Sequence, residues 1–213
     1  MRNRYTARRR CWKGALFFAV FLCITSFQPP MDVLRVHIGK TYQRVERDFT
    51  FDVEGNTAFY PGERPHPSST WISSPAIVEF DDPVYGFKLS PTIFGAVTYR
   101  DWKVRTLTTS PMSATMPFGD AVVRLGEIQN TLKTQGWKLE SFENNDWFNV
   151  DSVAEREQLR GKLFDQAVGI DLYVPKKYSL LLLIKCYARC DKHDPDTAKY
   201  LIDVSVGIDH HSD

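Results

Sequence analysis

The sequence predicts an α+β domain: an antiparallel sheet with two main helices packed on one face, preceded by an N-terminal membrane segment. Three observations carry this expectation. Val168, Ile170, Leu172 and Val174 alternate cleanly, as do Tyr200, Ile202, Val204, Val206 and Ile208, the pattern of strands with one apolar face. Phe118, Ala121, Val122, Leu125, Ile128 and Leu132 form an apolar stripe at helical spacing. Arg2, Arg4, Arg8, Arg9, Arg10 and Lys13 run straight into the uncharged, mostly apolar stretch 14–27. That order presents a chain to membrane-insertion machinery and keeps the positive side in the cytoplasm.

The apolar stretch is short. A spanning helix needs about 20 apolar residues, and about 10–14 suits a signal-peptide core. Neither Cys23-Ile24-Thr25 nor Ile24-Thr25-Ser26 fits the small-residue rule for cleavage. Phe21-Leu22 before Cys23 argue against lipidation, and Cys11 and Trp12 lengthen the block. The expectation is an uncleaved anchor through residues 14–27, single-pass in the inner membrane. Residues 1–30 form the basic flank and anchor, and residues 31–213 a periplasmic domain with a sub-boundary near 108–116. Secretion to the periplasm after signal cleavage is the alternative.

Leu34, Val36 and Ile38 give the first strand an apolar face, and Thr41 caps a short helix through about Asp48. Phe49–Val53 reads as extended. Residues 56–75 carry four prolines, a glycine and several serines and read as a long loop. Ala76–Phe80 and Tyr85–Leu89 flank Asp81-Asp82-Pro83 as a hairpin. Ile93–Leu107 reads as one extended stretch bent near Asp101. Pro117–Gln135 is the clearest helix, closed by Gly136, and Trp137–Phe142 returns as a strand. Ser152-Val153-Ala154-Glu155 matches a capping box opening a second helix to about Gln166. Leu180–Ile184, apolar at every position, reads as a central strand covered on both faces.

Composition narrows the function classes. With 43% hydrophobic and 13% aromatic residues the chain can build a core, which excludes disorder of the whole. Six of the 27 basic residues lie in the first 13 positions, leaving 21 against 26 acids in the remainder. A mildly acidic ectodomain argues against nucleic acid as a partner.

No cofactor and no metal is expected. Cys186, Cys190 and His193 are not at a strong zinc spacing. With a hairpin closed at 194–197, Cys190 would face Leu201, far from His210 and His211. Asp191, Asp194 and Asp196 lack the central glycine and distal glutamate of a calcium loop. Cys186 and Cys190 could bond only if the chain bends near Arg189, because residues four apart in a straight strand are about 13 Å apart; two ordinary thiols are the other reading. Neither Gly-x-Ser-x-Gly nor His-Glu-x-x-His occurs, so the chain reads as non-enzymatic. A hydrolase with an unrecognised site is the rival. Loop aromatics anchor protein partners, and Phe59, Tyr60, Trp71, Trp147 and Phe148 are the candidates.

The segment Val36-His37-Ile38-Gly39-Lys40-Thr41-Tyr42-Gln43-Arg44-Val45 resembles the helix-entry motif of small outer-membrane assembly lipoproteins of the SmpA/OmlA type. There an apolar strand end precedes glycine-x-threonine or serine, then a valine one helical turn on. The lipoprotein cysteine of that family has no counterpart here, so its function is not carried over. The whole-chain plan resembles that of envelope-facing immunity proteins, including those guarding against type VI effectors. It has a short N-terminal anchor or signal, an acidic α+β ectodomain, loop aromatics and no catalytic signature. That resemblance implies a protein partner in the envelope, possessing toxic chemistry that binding neutralises. An envelope assembly or structural role is the alternative.

Overall fold

A computed structural model describes residues 30–209, apart from 48, 49, 63 and 144. The expected anchor and the His210-His211 pair lie outside the described residues. Among those described, no helix is long and apolar enough to cross a membrane. From Asp32 onward the chain forms one compact unit, and its class is α+β.

Eight strands make the principal sheet: β2 (Thr57–Tyr60), β3 (His66–Ile72), β6 (Phe94–Arg100), β7 (Lys103–Ser110), β8 (Lys138–Leu139), β9 (Val168–Val174), β10 (Tyr178–Ala188) and β11 (Lys199–Ile208). Their spatial order is β2-β3-β6-β7-β11-β10-β9-β8, antiparallel at every pairing. The seam between its halves is short. β7 meets β11 only where Leu107, Thr108 and Thr109 oppose Val206, Ser205 and Val204.

A second sheet holds β1 (Asp32–Val36), β4 (Ala76–Phe80) and β5 (Phe87–Lys88). Here the expectation of an antiparallel fold is corrected, because β1 and β4 run parallel from Asp32↔Ala76 to Val36↔Phe80. A parallel pair needs a long crossover. Residues 37–75 supply it with α1 (Tyr42–Arg47) and the β2–β3 hairpin.

The core lies on one side of the principal sheet. Leu180, Leu182 and Ile184 of β10 and Tyr200, Ile202 and Val204 of β11 are buried there. The helices α2 (Phe118–Thr134) and α3 (Val153–Asp165) pack against β11 and β10 respectively. Phe118 of α2 meets the Tyr200 ring edge-on at 5.3 Å. The small sheet covers the same face further along, with Phe80 against Tyr178 at 5.2 Å and Phe87 against Trp137 at 5.9 Å.

Helix ends follow sequence chemistry. Ser152 and Glu155 form the reciprocal capping box of α3. Gly136, at φ +81, takes the left-handed position after α2 that a residue with a Cβ adopts only at a cost.

Five expectations are corrected. Residues 56–75 are a strand hairpin rather than a loop. Pro61 and Pro65 fall in its turn, and Pro67 sits beside the β-bulge between Ala58 and Phe59, where a missing N–H is tolerated. Of the expected extended segment Phe49–Val53, the described residues 50–53 form no strand: Asp52 Oδ1 accepts from the Gly55 N–H and turns the chain into a 3-10 turn at Glu54–Asn56. Ile93–Leu107 is two strands joined by Asp101 and Trp102, both left-handed at φ 51 and 63, the geometry of a tight hairpin turn.

The fourth correction shortens the strand after α2 to β8. Beyond it the Asn145 side chain takes over the ladder, donating to the Glu140 and Asp171 carbonyls and accepting from the Asp171 N–H. The fifth concerns register. Tyr200 faces Cys186, and Leu201 faces Lys185 rather than Cys190, because the chain leaves β10 through a bulge at Cys186/Ala188 and a 3-10 turn at Cys190–Lys192.

Asn145→Ala should cost about 1–3 kcal/mol, since it removes three hydrogen bonds of a buried side chain and leaves the Asp171 N–H without its partner. Urea unfolding measures this. A loss below about 0.5 kcal/mol would show that water replaces the side chain at no net cost.

Candidate functional site

Two places on the folded unit concentrate chemistry. The first is buried. The segment from His37 to Tyr42 leaves β1 and crosses to β7, where the Gly39 N–H donates to the Val104 carbonyl and the Val104 N–H to that of Lys40, each at 2.9 Å. The Tyr42 N–H donates to the Trp102 carbonyl at 2.8 Å. The Lys40 side chain turns inward, 2% exposed, and places its ammonium 2.5 Å from Asp81 Oδ2 and 3.1 Å from the Arg35 carbonyl. His37 Nδ1 lies 2.7 Å from the other Asp81 oxygen.

Burial alone would raise the Asp81 pKa. The hydrogen bonds from His37 and Lys40 outweigh it and hold the carboxyl below the ordinary aspartate value. Asp82 next to it behaves alike. Its burial is overcome by the N–H groups of Tyr85 and Val84 and by the Tyr178 hydroxyl, which donates at 2.8 Å. The same neighbours act in reverse on Tyr178, whose hydroxyl is pushed up by burial and by the Asp82 carboxylate. A histidine beside a carboxylate is one half of a general-base arrangement. Here the second carboxylate oxygen is taken by a buried lysine, and the bonds of the group tie β1, β4 and β7 together.

The second place is the face of the principal sheet that no helix covers. One cross-strand row runs Trp71, Ala96, Thr108, Ser205, Leu181, Asp171 from β3 to β9. The central positions are small, whereas Trp71 is 57% exposed. Phe94, on the same face of β6, is also exposed. The expectation that Leu180–Ile184 is covered on both faces is therefore corrected, since Leu181 is exposed. A shallow cavity of about 340 Å³ lies over this row, with Arg105, Thr106, Ser179 and Gly207 among its walls.

The polar groups on this face largely satisfy one another. Thr108 and Ser205 hydroxyls are 3.0 Å apart, Thr98 and Thr106 hydroxyls 2.6 Å. Asp203 accepts from Lys185 at 2.6 Å and from the Ser110 hydroxyl. Such a face can be covered at a lower desolvation cost than one bearing free polar groups.

The five aromatic candidates divide. Phe59 and Tyr60 on β2 are 41% and 54% exposed, on the terminal strand of the sheet. Phe59 also meets the buried Tyr42 ring at 5.8 Å, and Trp102 meets it at 6.1 Å. Phe148 is corrected as an anchor. It is 8% exposed, a member of the core, and its carbonyl accepts from Gln129 Nε2. Trp147 is half-buried beneath the Lys133 ammonium, 4.7 Å from its ring centroid.

Sequence reasoning missed Phe94, Leu181 and Trp102. Each lies where a strand was read with the wrong ends or the wrong number of covered faces. The alternation of Phe94, Ala96 and Thr98 against buried Val97 and Tyr99 was the available signal.

Cys186 and Cys190 form a disulfide with Cα atoms 5.9 Å apart. The required bend is supplied by Arg189, left-handed at φ 60, and the 3-10 turn after it. His193 stacks on Phe164 at 5.0 Å, and no group of metal-binding side chains occurs among the described residues. No family model, curated protein or solved structure matches this chain.

Because the folded Asp81 pKa lies below its unfolded value, its contribution to stability is full above the unfolded pKa and fades as pH falls toward the folded one. Asp82 acts in the same sense. Stability should fall as pH drops from about 5 to about 2, and Asp81→Asn should flatten that fall while costing about 3–5 kcal/mol near neutrality. Thermal melting across this range tests both statements. An unchanged acid limb in the variant would remove Asp81 from the account.

Proposed function

We propose that the folded unit is a non-enzymatic protein-binding domain that docks its partner on the open sheet face and the aromatic rings beside it. The observation that carries this reading is Trp71, 57% exposed at the head of a cross-strand row whose central positions, Ala96, Thr108 and Ser205, are small, with the Thr108 and Ser205 hydroxyls bonded to each other. A large exposed aromatic on a strand is the kind of group that fills a partner's pocket at the centre of an interface. Phe94, exposed on the same face, widens the apolar area beside it.

The basic flank and apolar stretch 14–27 support a tether in the inner membrane, with the folded unit presented in the periplasm. An oxidising compartment suits the Cys186–Cys190 bond. In that setting the partner is a toxic effector, neutralised by binding. The polar cluster at Asp81 supports the non-enzymatic part of the reading, because its groups are engaged in joining strands.

The double substitution Trp71→Ser and Phe94→Ser tests this. Crosslinking in intact cells, followed by denaturing purification and mass spectrometry, should recover one dominant partner with toxic or hydrolytic chemistry from the unaltered chain. Recovery should drop by roughly thirtyfold for the variant, the loss expected when about 2 kcal/mol of interface energy is removed. The melting temperature should move by only a few degrees. Equal recovery from both chains would reject the sheet face as the docking surface. Recovery of envelope assembly machinery would replace neutralisation with an assembly role.

A further inference from the structure

We propose that the cavity bordered by Arg100, Lys103 and Arg105 binds a phosphate monoester dianion. The site adjoins the open sheet face without including Trp71, and stands whether or not a partner docks there.

The cavity lies where β7 changes neighbours. The ladder between β7 and β11 ends at Leu107↔Val206. At Val104 the strand bonds instead to the segment leaving β1, through the Gly39 N–H and the Lys40 carbonyl, with Thr41 bridging to Lys103. Arg105 and Thr106 fall between the two pairings. Arg105 is also the extra residue of a β-bulge, since Tyr99 pairs with Val104 and Thr98 with Thr106. The parting strands leave a cavity of about 430 Å³ with Gly39, Arg105 and Ile208 in its walls, alongside Arg100, Asp101 and Lys103. Gly39 adds no side chain, and a Cβ there would meet nothing within 4 Å.

Charge is unbalanced at this place. Arg105 is half-buried, and neither it nor the exposed Lys103 side chain makes a hydrogen bond or ion pair with a described residue. Asp101 is the one carboxylate in the walls. It is 92% exposed and 4.0 Å from Arg100 Nε, a pair that water screens strongly. Three cations against one carboxylate leave two positive charges, the complement of a monoester dianion. A half-buried guanidinium without a partner has given up hydration for nothing, and an anion returns the missing acceptors. Its planar fork suits two phosphate oxygens at once, while the Lys103 ammonium can meet a third as a point charge. A carboxylate brings only one charge and two oxygens. Free phosphomonoesters and the headgroup of phosphatidic acid share the required chemistry.

The test is calorimetric titration of the full chain in mild detergent, at pH 8 and low salt, with inorganic phosphate as the probe. Binding should saturate with a dissociation constant between about 10 µM and about 1 mM, the range open to so small an anion. Arg105→Gln should weaken it about tenfold or more, and Lys103→Gln roughly threefold. Asp101→Asn should tighten it roughly twofold by removing the competing carboxylate. The basic flank at residues 2–13 is common to all these chains, so the dependence on the three positions isolates the cavity. Melting curves confirm that each variant is folded. Acetate should bind about tenfold more weakly than phosphate. Competition by glycerol 3-phosphate, or by phosphatidic acid in the micelles, then separates a free monoester from a lipid headgroup. The absence of saturable binding, binding indifferent to Arg105→Gln, or acetate equal to phosphate overturns the proposal.

Discussion

The Lys40–Asp81 ion pair is the point on which the two sheets depend. It sits where the parallel strands β1 and β4 end, and its lysine belongs to the segment whose backbone bonds to β7. One residue thereby serves three strands, through its carbonyl on the principal sheet and its ammonium on the small one. A buried ion pair adds little net stability over an apolar contact of the same size. What this one adds is position. An ammonium at 2% exposure tolerates few arrangements, so the crossing of His37–Tyr42 over the core is held to the one that satisfies it.

The principal sheet divides its labour between two faces. The inner one is close-packed with aliphatic residues and the Tyr200 and Tyr178 rings, under helices and the small sheet. The outer one pairs threonine with threonine and serine, and aspartate with lysine and serine. Those side chains suit water, yet leave few hydrogen-bonding groups to strand if a protein displaces it. The exposed rings of Trp71 and Phe94 thus project from hydrogen-bonded strands rather than from loops.

Where one residue pattern served one structural purpose, the sequence was readable. The α2 stripe, the Ser152 capping box, Gly136 and the β9 and β11 alternations all appear where periodicity and capping chemistry set them. It was unreadable where a side chain stood in for backbone or an uncommon residue took a turn. Asp101-Trp102 closes a hairpin without glycine or asparagine. Asn145 replaces a strand that the ladder would have continued. Prolines in residues 56–75 signal a loop to any local reading, and only their place in a turn and at an edge bulge reconciles them with a sheet. Of the site, Phe59, Tyr60 and Trp71 were legible as exposed aromatics. Phe148 was not distinguishable from them, because its burial comes from tertiary packing beside α2 that no local pattern shows.

The short seam between β7 and β11 also shapes how this molecule comes together in time. On one side the hairpins β2–β3 and β6–β7 can close from near neighbours, and on the other β9, β10 and β11 form a meander of successive strands. Joining them brings together residues such as Thr108 and Ser205, separated by 97 positions. The entropy of closing so long a loop grows slowly with its length, but distant pairings are what slow a folding chain. Only three residue pairs reward that closure within the sheet itself. The helices α2 and α3, which lie between the two halves in sequence, must therefore supply much of the driving force. That layout favours late docking of two locally formed halves over steady growth of one sheet.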